Sequence, residues 1–106
     1  MAVTPTQLIA PAFMPDIKGV AYTSVAAKTR IDYMAFANTT ANNVTFSVWL
    51  GPAGSLQRIL TKTVLPNETY LCPEVIGALL MPGDQISWDA SAPNALYGGA
   101  NGVLFT

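Results

Sequence analysis

The acid–base chemistry open to this chain rests on six carboxylates, at Asp16, Asp32, Glu68, Glu74, Asp84 and Asp89, because it contains no histidine. Every mechanism that needs imidazole as a base or a metal ligand is thereby removed. Asp84 and Asp89 have the most suggestive spacing, since they flank one strand-like run. Five residues apart in extended backbone, they stand roughly 16 Å from one another, too far for the paired carboxylates of glycoside hydrolysis. Asp84 follows Gly83 and reads as a turn residue. Calcium held by Asp89, Asn94 and loop carbonyls would need a dense acidic loop, and none is present. Cys72 stands alone, so it forms no internal disulfide and no cysteine-based metal site; in an apolar strand it reads as a small buried hydrophobe. Gly51-Pro52-Ala53-Gly54 and the run from Tyr97 to Gly102 are glycine-rich, but neither leads into a helix or a lysine, so they predict a hairpin and a bulge or close backbone approach, not a phosphate loop. Asn-x-Thr triplets at Asn38, Asn43 and Asn67 read as turn and strand-edge residues, because no secretion signal is expected. These residues predict no enzyme, no catalytic group, no metal and no cofactor.

Trp49, Trp88, Tyr22, Tyr33, Tyr70 and Tyr97 offer a different chemistry, the stacking of sugars on aromatic rings. Trp49 is the most suggestive of them. In the run 43–52, Val44, Phe46, Val48 and Leu50 fall on one side of an extended backbone, and Thr45, Ser47 and Trp49 on the other. An outward Trp serves a ligand platform, a subunit contact or a second buried layer, and contact with another chain or layer is favoured over a sugar site.

Composition bears on that choice. Of 106 residues, 51% are hydrophobic and 10% charged, against roughly 25% charged in an ordinary soluble domain. Five Lys and Arg and six Asp and Glu cannot cover the surface of one small domain, so much of that surface is expected to lie against other chains. The cations at 18, 28, 30, 58 and 62 are scattered, which predicts no nucleic-acid partner. No apolar run approaches the roughly 20 residues of a membrane-spanning helix, so no membrane association is expected. Pro5, Pro11 and Pro15 interrupt any apolar leader, and synthesis in a cytoplasm is expected.

The elements that position these residues are short strands. Residues 1–18 predict a proline-rich arm or edge strand, and Leu8, Ile9, Phe13 and Met14 suit an arm lying on a neighbouring subunit. Residues 19–106 predict one β domain. Its strands fall at 20–25, 29–38, 44–50, 57–65, 69–72, 85–90 and 95–106, with a turn at 26–28 and one helical turn within 73–80. Ile31, Tyr33, Ala35 and Ala37 are expected on one face of the second, with Asp32, Met34 and Phe36 on the other. The polar stretch 38–43 is expected to join that strand to 44–50 as a hairpin. Seven or eight short strands at this spacing predict an all-β sandwich or barrel with little helix, and a single antiparallel sandwich is the expectation.

The order of features resembles small all-β virion proteins of tailed bacteriophages, found as capsid decoration, neck or tail-associated subunits. The likeness runs over residues 20–106. It rests on Asn38-Thr39-Thr40 before the strand 44–50, on the turn Leu65-Pro66-Asn67-Glu68-Thr69, on Leu80-Met81-Pro82-Gly83-Asp84-Gln85-Ile86, and on a glycine-rich last strand. It implies a jelly-roll-like sandwich acting as a non-enzymatic structural subunit of a virion. Its expected partners are other copies of itself and a larger capsid or tail protein. Contacts are expected at Leu8, Ile9, Phe13, Met14, Trp49, Val103, Leu104 and Phe105. A carbohydrate-binding module for a host surface glycan, reading sugars through Trp49 or Tyr97, is the alternative.

Overall fold

A computed structural model describes residues 3–25 and 28–105. The expected turn at Ala26 and Ala27, and Thr106 of the last strand, lie outside the described residues. Among the described residues nine strands run in the order β1 (Val3–Phe13), β2 (Gly19–Thr23), β3 (Lys28–Asn38), β4 (Val44–Pro52), β5 (Gln57–Val64), β6 (Thr69–Tyr70), β7 (Leu79–Leu80), β8 (Asp84–Ala90) and β9 (Leu96–Phe105). They form two antiparallel sheets packed as a sandwich. Sheet A has the order β1-β9-β3-β6 with β7 also on β3, and sheet B the order β2-β8-β4-β5. The pairings are nested about the β4–β5 hairpin: β3 takes β6 and β7, β2 takes β8, and β1 takes β9. β1 stands at a sheet edge, the place in a sheet where prolines such as Pro5 and Pro11 are tolerated.

The core face of β4 is the one its alternation predicts, with Val44, Phe46 and Val48 buried and Leu50 packed against them. Ile86 and Trp88 of β8 face the same way. Across the sandwich Phe36 meets Phe46 at 5.6 Å and Trp88 edge-on at 4.9 Å between ring centroids.

Three expectations are corrected. β3 and β4 are not a hairpin: they belong to different sheets, and residues 39–43 carry the chain across the sandwich. Asn38 organises that crossing. It is buried, its Nδ2 donates to Asn42 O at 2.7 Å and Val64 O at 2.9 Å, and its Oδ1 accepts from Thr40 N at 2.9 Å and Thr40 Oγ1 at 2.8 Å. Asn38→Ala is expected to cost about 2–3 kcal/mol in urea unfolding, since buried backbone groups lose their partners. Asn38→Asp is expected to cost more, because a carboxylate has no hydrogen to give either carbonyl. Second, the register of β3 against β9 slips between Ile31 and Tyr33, so Asp32 is an extra residue. Past that bulge the faces exchange: Ile31, Met34 and Phe36 are in the core cluster, while Tyr33 is exposed and Ala35 and Ala37 share its outward side. Third, residues 73–77 form turns without a helix, and β7 follows within the same stretch.

β9 holds sheet A together by close approach. A Cβ at Gly98 would stand 1.8 Å from Ala35 O, and one at Gly102 2.1 Å from Arg30 O. The expected irregularity is real, but the extra residues sit in the neighbouring strands β1 and β3.

Candidate assembly surfaces

The outer face of sheet A is built by register. One row across it is Phe13, Tyr97 and Ala37; another is Gln7, Asn101 and Tyr33; a third is Pro5, Val103 and Arg30; the last is Val3, Phe105 and Lys28. Leu79 extends the Arg30 row on β7. Directly opposed residues share a face of a sheet, so these side chains stand together. Phe13 and Tyr97 pack edge-on at 5.2 Å. Val3, Phe13, Tyr33, Leu79 and Tyr97 are each between 44% and 56% exposed, an uncommon density of apolar side chains on one surface. Between them the floor is low: Gly99, Ala35 and Ala37 carry little or no side chain. A shallow depression of about 490 Å³ lies at the Gln7–Asn101 and Pro5–Val103 rows, lined by Pro5, Thr6, Gln7, Asp32, Asn101, Gly102 and Val103.

Charge on this face is nearly cancelled internally. Arg30 Nε donates to Asp32 Oδ1 at 2.6 Å and Nη2 to Oδ2 at 3.3 Å. The hydrogen bond from the guanidinium holds the Asp32 carboxyl below the usual carboxylate range. The same guanidinium lies 5.6 Å from the Phe105 ring centroid. Lys28 is left at one corner.

The outer face of sheet B is of another kind. Thr45 and Thr63 share a hydrogen bond at 2.9 Å, and Ser47 and Thr61 one at 3.0 Å, so hydroxyl ladders satisfy each other across β4 and β5. Trp49 stands on this face, half-buried, in register with Arg58 and Ser87. Lys18 Nζ lies 4.5 Å from the centre of its ring, on the surface a sugar would need for stacking.

The expected contact residues are therefore dispersed. Phe13 and Phe105 come together on the outer side of sheet A, Val103 stands in the row beside Phe105 but is itself only 8% exposed, and Trp49 lies on the opposite sheet. Leu8 and Met14, expected to reach another chain, are instead core residues of this one, only 8% and 1% exposed. Ile9 and Leu104 also pack against that core. The reason is that β1 is not a free arm but pairs with β9 along most of its length. Tyr33, Tyr97, Val3 and Leu79 belong to the surface and were not expected there; for Tyr33 the bulge at Asp32 hides the signal.

Asp84 and Asp89 do not cooperate. They lie at odd spacing in a strand that pairs regularly with β4, hence on opposite faces. Asp84 closes the expected turn, accepting from Met81 N at 3.0 Å. Among the described residues no group of three or more Asp, Glu, Cys or His is placed to hold a metal.

Cys72 and Tyr70 give the fold an alkaline limit. Burial, aided by the Glu74 charge, pushes the Cys72 thiol up to about 12. Burial and the hydrogen bonds that the Tyr70 hydroxyl donates to Glu74, at 2.6 and 2.7 Å, raise the phenol to about 12 as well. Both groups bind their protons more tightly when folded than when unfolded. The stability this supplies is complete below pH 9, the ordinary thiol value, and is lost as pH rises toward 12. The urea midpoint is expected to fall between pH 9 and 12, and less so in Tyr70→Phe. At pH 8 the native thiol is expected to react at least about a hundredfold more slowly with a soluble disulfide reagent than the unfolded chain.

No protein-family model and no curated protein matches the chain.

Proposed function

We propose that the protein is a non-enzymatic structural subunit of a tailed-bacteriophage particle, assembling as a homo-oligomer and onto a larger capsid or tail protein. The observation that carries this reading is the outer face of sheet A, a broad, nearly charge-neutral apolar surface on a chain with few charges to spare. Such a surface is stabilised by contact with another protein. The nested pairing of strands around β4–β5 fits the winding of a jelly roll, an architecture shared by viral capsid domains, lectins and cupins. The family resemblance selects the virion among these, because fold alone does not decide function. Sugar binding through Trp49 is the weaker reading, as Lys18 occupies the ring face.

Mass spectrometry of gradient-purified phage particles tests the assignment. The chain is expected at many copies per particle, resistant to high salt because the contact is apolar. Its complete retention in the particle-free fraction would remove the reading. Deleting residues 1–18 is not a usable test, since it strips Leu8 and Met14 from the core.

A further inference from the structure

We infer that two copies of this chain pair face to face through the outer surface of sheet A, about a two-fold axis beside Tyr33, each Tyr33 ring filling the other copy's depression. The inference rests on the structural-subunit reading and specifies the contact by which copies meet. Three observations select a second copy as the occupant.

The first is self-complementary shape. A two-fold contact requires that a feature and its complement lie close together on one surface. Tyr33 projects 48% exposed from β3, in register with Asn101, which itself lines the depression together with Asp32 from the adjoining bulge. Knob and hollow are neighbours, so an axis between them satisfies both at once.

The second is charge. Two identical faces meet with like against like, which penalises any unbalanced charge near the axis. On sheet A Arg30 and Asp32 are already paired with each other, and Lys28 lies in the last row, away from Tyr33. The outer side of sheet B presents Lys18, Arg58 and Asp89 with hydroxyls that have partners within the chain. The two-fold contact therefore belongs to sheet A.

The third is area. The face spans about 30 Å along β9 and about 20 Å across the strands, roughly 600 Å² per copy and roughly 1,200 Å² over the pair, the range of specific interfaces.

Sedimentation velocity on the purified full chain, over a wide concentration range, decides the matter. A dimer is expected. Tyr33→Glu and, separately, Tyr97→Glu are expected to raise its dissociation constant by at least about a hundredfold, because the axis duplicates each buried carboxylate. Both positions are exposed in the single chain, and an unchanged far-ultraviolet spectrum verifies folding. Thr61→Glu on sheet B is expected to leave the dimer intact. A wild-type chain that is monomeric throughout, a larger ring, or a dimer indifferent to both tyrosine substitutions would each overturn the inference. Incorporation into particles is scored on the same samples. Incorporation without the sheet A dimer would sink the inference and leave the virion reading standing; a sheet A dimer never found in particles would do the reverse.

Discussion

Gly98→Ala is expected to abolish the folded state. The added methyl would meet Ala35 O at 1.8 Å, Ala35 C at 2.8 Å and Phe36 Cα at 3.0 Å. All three are backbone atoms of a paired strand, so no side chain can rotate away to make room. β9 lies between β1 and β3, and separating it from β3 would break the longest ladder in sheet A. The cost is expected to exceed about 4 kcal/mol, a large share of the whole stability of a domain this size. Gly54→Ala is the control. Nothing lies within 4 Å of a Cβ there, and only its φ of 82° opposes the change, so a loss of about 1 kcal/mol is expected. Urea unfolding followed by tryptophan fluorescence compares the two directly. Equal midpoints for Gly98→Ala and wild type would show that β9 and β3 are not this close.

Phe36→Ala is expected to have the next largest effect. Phe36 is fully buried at the centre of the sandwich, and its ring touches Phe46 of sheet B at 5.6 Å and Trp88 at 4.9 Å. Truncation removes apolar burial, leaves a cavity between the sheets and breaks two oriented aromatic contacts, together about 3–5 kcal/mol. Phe36→Leu, which keeps most of the volume, is expected to lose less than half as much. Loss of the near-ultraviolet signal of Trp88 at modest urea concentration in Phe36→Ala, but not in Phe36→Leu, is the accompanying readout.

What could be read from residues alone depended on whether an element is governed by its own alternation or by its neighbours. β4 and β8 announce themselves because Val44, Phe46 and Val48, and Ile86 and Trp88, alternate without interruption and end at turn residues, while β5 keeps Leu60 and Val64 inward with Lys62 between them. Asn67, read as a turn residue, takes left-handed backbone there with a φ of 61°. The bulge at Asp32 could not be read, because it arises where β3 must follow the close-packed glycines of β9. It separates Tyr33 from Ile31, with which it was expected to share a face, and turns Tyr33 outward. The crossing at 39–43 was equally hidden, since a polar turn can close a hairpin or carry a chain between sheets. The long-range pairings of β3 and β4 in separate sheets distinguish them, and the bond from Asn38 to Val64 O ties the crossing down. The same limitation applies to the candidate surface. Phe13, Val103 and Phe105 were picked for apolarity near the ends of the chain, and the pairing of β1 with β9 is what gathers them. That pairing also draws Leu8 and Met14 inward.

On the proposed reading, the neutral sheet A surface is covered by protein contact within a phage particle. A cryo-electron microscopy map of the intact particle, with this sandwich fitted into it, decides this. It is expected to show repeated copies whose Tyr33, Tyr97 and Phe105 are buried in a protein contact, with sheet A faces paired. A map in which every copy turns those three residues to solvent, or in which no density accommodates the sandwich, would contradict it.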